Sequence, residues 1–146
     1  MARGSSNALI LDDPHLTIRW EADPGCLHER WRGFVRSDRY RALMECCYDA
    51  LVSRSVNAVV VDAREFAPLS RPDQEWTADV WFPRAASVGL SFVAVLLPLS
   101  VISEMSVRDV MSRSGANVFT TFYTSDLDEA YAWIHDLTRL RRVVGA

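Results

Sequence analysis

Cysteine is scarce in this sequence. Its three copies, Cys26, Cys46 and Cys47, are too few and too unevenly spaced to build a disulfide scaffold or a zinc knuckle. A reducing cytoplasm is the compartment they fit best. An excess of charge of one sign is lacking as well. Sixteen basic residues face 19 acidic ones for a net charge of −3, so nothing pulls the chain toward phosphate backbones or anionic lipid, and no nucleic-acid partner is expected. Glycine builds no phosphate loop, because its six copies stand alone. No apolar run reaches the roughly 20 residues of a membrane helix. The longest, Val88 to Ile102, is interrupted by Gly89, Ser91, Pro98 and Ser100 and reads as a buried strand followed by a turn. Met1 to Ser6 is small and polar, so no secretory leader is expected there.

What is present suffices for one core. The chain has 146 residues, 49% of them apolar, which is the size and content of a single domain. Its centre is Asn57-Ala58-Val59-Val60-Val61-Asp62-Ala63, where four apolar residues run without alternation into a carboxylate. β-branched residues suit a pleated surface, and a run without alternation implies cover on both faces. Leu90 to Leu97 is a second such run, expected beside the first, with Val59, Val60, Val61, Val93, Val95 and Leu97 in adjacent strands. Asp62 is expected at the strand's carboxyl end, where open α/β sheets place their working surface.

The flanking elements follow in order. Leu9-Ile10-Leu11 reads as a short edge strand, His15 to Trp20 alternates as a half-buried strand, and Leu27 to Val35 continues in extended form, giving an antiparallel start. Ser37-Asp38 opens a helix with a hydroxyl suited to capping it, and Tyr40, Leu43, Met44, Cys47, Tyr48 and Leu51 form its stripe. Arg64 to Arg71 reads as a loop leading into a helix with Pro72 in its first turn. That helix is expected to turn Trp76 and Val80 inward, leaving Trp81 and Phe82 on other sides, and Pro83 predicts a kink or two short helices. Val101 to Arg113 is helical with its Val, Ile and Met scattered around the wheel. Gly115-Ala116-Asn117 turns into a strand over Val118 to Tyr123. A last helix opens at Ser125, with Leu127, Ala130, Tyr131, Ile134 and Leu137 as its core face. The expected architecture is therefore α/β, a mixed sheet flanked by about four helices over residues 8–142, between a disordered head at 1–7 and a tail at 143–146.

Three segments carry a resemblance. Trp31-Arg32-Gly33-Phe34 leads into Ser37-Asp38-Arg39-Tyr40, Val59-Val60-Val61-Asp62-Ala63-Arg64 follows, and Phe119 to Tyr123 leads into Asp128-Glu129-Ala130-Tyr131-Ala132-Trp133-Ile134. This pattern, from about Leu9 to Leu137, resembles the STAS domain of anti-sigma-factor antagonists, and more closely a bacterial STAS-like or CRAL-TRIO-like branch. The resemblance implies a cytoplasmic, non-enzymatic regulatory domain. STAS antagonists carry an Asp-Ser-Ser-Gly-like signature beyond the central strand, with its serine phosphorylated by a partner kinase at a helix N-terminus. Here that place holds Leu69-Ser70-Arg71-Pro72-Asp73, with Arg71 near the acceptor position and Ser70 its only neighbouring hydroxyl. A helix cap is the role expected of Ser70.

Catalytic chemistry has little footing. His15, His28 and His135 lie in unrelated segments and read as ordinary surface histidines, no Cys/His or Asp/Glu set has metal-ligand spacing, and no Gly-x-Ser-x-Gly turn marks a nucleophile. No catalytic residue, metal or cofactor is assigned. The candidate partner or ligand surface is Asp62, Arg64, Ser70, Arg71, Trp76, Trp81 and Phe82. Two readings use it. In the first, the loop Arg64 to Arg71 and the following helix bind a protein partner. In the second, Trp76, Trp81 and Phe82 line a pocket for a small apolar ligand or lipid, as the CRAL-TRIO resemblance implies. A homodimer, where formed, is expected to use the exposed aromatics of that helix.

Overall fold

The central apolar run becomes β4 (Ala58–Phe66), fourth of six strands that pair in sequence order. The computed structural model describes residues 6–115 and 118–145. β1 (Ala8–Asp12), β2 (Leu16–Glu21) and β3 (Cys26–Gly33) form an antiparallel meander, whereas β3, β4, β5 (Phe92–Leu96) and β6 (Thr120–Thr124) are mutually parallel. The expected α/β class with a mixed sheet is what the chain adopts. Residues 1–5, within the head expected to be disordered, and the turn residues Ala116 and Asn117 lie outside the described residues.

Strand order fixes where the helices go. Each parallel step needs a crossover, and crossovers of one hand that step in one direction all land on the same face. α1 (Ser37–Arg54), the segment α2 (Arg71–Trp76), π turn (Thr77–Trp81) and α3 (Phe82–Ser87), and α4 (Val101–Val110) with its own π turn (Met111–Gly115) therefore cover one face of the sheet. The last helix, α5 (Leu127–Gly145), covers the other, where Ala130 and Ile134 meet Ala58, Val60, Ala94 and Leu96. Small residues on both sides let α5 approach closely. Val59 and Val93 face the first layer and Val60 and Ala94 the second, which is why neither run alternates.

Several expected boundaries move. β4 continues to Phe66, so Asp62 lies inside the strand and the loop shrinks to residues 67–70. β5 stops at Leu96, one residue short of Leu97, and β6 begins at Thr120 rather than Val118. The residue ahead of α1 is Arg36, with no side-chain cap, because Ser37 turns its hydroxyl to Asp73 instead. At α5 the Asp126 carboxylate, not Ser125, accepts from the Asp128 N–H. The helix then runs past residue 142 to Gly145.

Two helices differ in which side they bury. The π turn adds a residue to one turn of the α2–α3 segment and so rotates everything after it relative to an ideal wheel. Trp81 and Phe82, expected on other sides, are both buried at 4% and 6% exposure, while Val80, expected inside, is exposed. Pro83 follows Trp81 and Phe82, which are both in helical geometry, so the helix continues through it and its missing N–H falls at the junction of the π turn and α3. α4 divides its apolar residues between two sides: Val107 and Val110 turn to the cavity and Ser103 and Ser106 also point inward, while Val101, Ile102 and Met105 face out beside Leu99.

Candidate functional site

The first helical layer does not fill the space above the sheet. Between β3, β4 and β5 on one side and α1, α3 and α4 on the other lies an apolar cavity of about 90 Å³, with walls that include Trp31, Met44, Val59, Val93, Trp81 and Phe82. The aromatic walls are held in place. The Trp81 indole N–H donates to the Met44 carbonyl at 2.9 Å, and Phe82 meets Phe119 edge to face at 5.3 Å. Trp31 packs against Tyr40 at 5.4 Å and Phe66 at 5.2 Å. Val61, Phe66, Leu69 and Val107 are the half-buried members of the wall, and Phe66, Leu69 and Val107 mark its rim. A polar latch closes over that rim: Leu69 N–H donates to Ser106 Oγ at 3.2 Å, and Gln74 Nε2 donates to the Leu69 carbonyl at 3.0 Å.

One carboxyl group sits in this apolar space. Glu29 on β3 is 3% exposed and lines the cavity. Burial pushes its carboxyl up to about 7, only partly opposed by the nearby Cys47 thiol and Trp31 indole, which favour the ionised form. The neighbouring Cys47 thiol and Tyr40 phenol are also pushed up by burial and stay neutral at ordinary pH. Sequence reading passed over Glu29 although a signal was there: it shares strand parity with Leu27 and Trp31, both buried on the helical face.

The other candidates do not converge on the cavity. Asp62 and Arg64 lie on the opposite face, beside α5, so the sheet itself separates them from Trp81 and Phe82. There the Tyr131 phenol donates to His28 Nδ1 at 2.9 Å, and His28 Nε2 then donates to Asp62 Oδ2 at 3.3 Å. Arg64 completes the chain with Nε at 2.9 Å and Nη2 at 2.8 Å from the two Asp62 oxygens. Burial raises the Asp62 carboxyl, but the hydrogen bonds from His28 and Arg64 outweigh it and hold the group well below the usual carboxylate range. Arg64 thus pairs with Asp62 and leaves Glu65 to Arg30. His28, expected at the surface, is largely enclosed because Tyr131 and Asp62 flank it. Every member of this relay is hydrogen-bonded to a neighbour, and together they clamp α5 to the sheet.

Ser70, Arg71 and Trp76 form a third group. Ser70 Oγ caps α2 by accepting from the Asp73 N–H and donates to the Asp73 carboxylate at 3.1 Å. Asp73 is buried and also takes Ser37 and Arg41, so it ties α2 to α1. Arg71 pairs with Glu75 at 3.1 Å in solvent. Trp76 is half-buried, with Arg41 5.1 Å above its ring. Among the described residues, no three His, Cys, Asp or Glu side chains converge in a way that could hold a metal ion, and no helix is long and apolar enough to cross a membrane. The chain matches no family model and none of the curated proteins with which it was compared.

Proposed function

We propose that this chain is a non-enzymatic, STAS-like α/β domain that binds a small apolar ligand between its sheet and its first helical layer. The observation that carries this reading is the cavity lined by Trp81 and Phe82. Interiors are normally packed to the density of organic crystals, so retained apolar space under a hydrogen-bonded rim is a cost without a folding benefit. Its size narrows the ligand. Pockets for drug-sized molecules run to about 300–1,000 Å³, so about 90 Å³ suits a single ring or a short alkyl group rather than a long acyl chain. Native mass spectrometry of protein purified from its own host tests this. The expected result is an added mass of a small molecule that is lost on denaturation; protein that is always ligand-free speaks against the reading.

A second reading, a protein-interaction domain, is favoured by a different surface from the expected one. Ser70 and Arg71 are engaged in capping and pairing, whereas Leu99 and Ile102 stand 88% and 70% exposed beside Val101 and Met105. Exposed apolar patches of this kind mark contact sites. A kinase switch at Ser70 has less support, since its hydroxyl already serves Asp73. Sedimentation of an Ile102→Ser, Met105→Ser double variant beside the parent tests self-association through α4. A dimer lost in the variant supports the second reading, and a monomer in both removes a second copy as the partner.

A further inference from the structure

The cavity wall has one polar group left over. Tyr40 and Thr77 satisfy each other: Thr77 donates to the Asp73 carbonyl at 2.7 Å, so the Tyr40 phenol donates to Thr77 Oγ1, also at 2.7 Å. The Trp81 N–H is taken by Met44. Glu29 Oε2, sealed from solvent, has no hydrogen-bond partner among the described residues. A buried carboxyl oxygen without a partner costs on the order of 1–3 kcal/mol relative to a satisfied one, and a same-sized apolar residue would avoid that cost.

Resting on the cavity reading above, we propose that Glu29 is the anchor for the ligand's head group, and that the ligand is a small apolar primary amine whose ammonium donates to Glu29 Oε2 while its ring or alkyl body fills the cavity. The surroundings of Glu29 favour a donor over an acceptor. The Cys47 thiol and Trp31 indole beside the carboxyl favour its ionised form. Only desolvation opposes ionisation, and a cation placed at Oε2 offsets desolvation directly. A ketone or ether would require the acid form and would work against both groups.

Binding is then coupled to pH. The titratable groups that face Glu29 are Cys47 and Tyr40 on α1, both raised and neutral through this range. The π turn, α3 and α4 turn Thr77, Trp81, Phe82 and Val107 to the cavity, none of which titrates. Asp73, which Tyr40 feels at a distance, is enclosed by Ser37, Arg41 and Ser70. With the empty-site carboxyl near 7, its ionised fraction rises about tenfold between pH 6 and pH 8.

Calorimetric titration of the intact protein with benzylamine, toluene and anisole at pH 6, 7 and 8 tests the proposal. Benzylamine is expected to bind best and to tighten about tenfold from pH 6 to 8, toluene to bind weakly without pH dependence, and anisole to weaken as pH rises. In Glu29→Gln the benzylamine preference and its pH slope should vanish while toluene binding persists. The pH series on the unaltered protein decides the matter even where that variant folds poorly. Toluene binding with no benzylamine preference, or with a pH-independent one, overturns the anchor and leaves the cavity reading standing. Failure of all three probes overturns both.

Discussion

Arg64 grips Asp62 from two positions along the same strand, Nε against Oδ1 at 2.9 Å and Nη2 against Oδ2 at 2.8 Å, while His28 approaches Oδ2 from the neighbouring strand. Asp62→Asn keeps the shape and removes the charge. It is expected to destabilise the fold by about 1–2 kcal/mol at pH 7, a figure discounted for the partly exposed guanidinium. The sign follows from a folded-state pKa below the unfolded one. The carboxylate's contribution is complete above the unfolded value of about 4 and is lost as pH falls below it. Urea unfolding of parent and variant at pH 7, 4 and 3 should show the gap closing as pH drops.

Glu29 has the opposite sign. Its folded pKa of about 7 lies above the unfolded value, so the folded state holds the extra proton and stability falls as pH rises through about 4.5 to 7. The shift corresponds to about 3 kcal/mol in all. Glu29→Gln should abolish this slope and unfold at higher urea than the parent at pH 8. A parent curve that is flat between pH 5 and 7.5 contradicts the assignment.

Val60 is fully buried against α5, between Ala58 and Asp62 on the same face. Val60→Asp places an unpaired charge there at a cost of several kcal/mol, against a total stability of about 5–15. Loss of the cooperative unfolding transition is the expected outcome, read by circular dichroism on heating.

How much of this was legible in the chain depends on how local the cause is. The runs at Val59 to Val61 and Leu90 to Leu97 announce buried parallel strands because two-sided burial removes alternation within a few residues. The Ser70 cap is equally local. Trp81 and Phe82 are misread because wheel geometry assumes 3.6 residues per turn, and a π turn breaks that assumption without any marker in sequence except the nearby Pro83. α4 scatters on a wheel because its apolar residues serve two sides, Val107 and Val110 at the cavity and Ile102 and Met105 outside. The relay of His28, Asp62 and Tyr131 joins residues from β3, β4 and α5, and no spacing rule links positions so far apart.

Ser70→Ala removes a cap whose partner, Asp73, keeps Ser37 and Arg41. A loss of about 1 kcal/mol is expected, with cavity binding intact. Phosphopeptide mapping of protein from its host should find Ser70 unmodified; a phosphoserine there restores a kinase-controlled role for α2.

The central claim is that the space beneath Trp81 and Phe82 takes an apolar molecule, and methyl-resolved NMR during a toluene titration tests it most directly. The account predicts saturable shifts at Val59, Val93, Met44 and Met111, which line the cavity, with Val60 and Ile134 on the opposite face unmoved. No saturable shift up to the solubility of toluene, or shifts confined to Ile102 and Met105 on the outer face of α4, would contradict it.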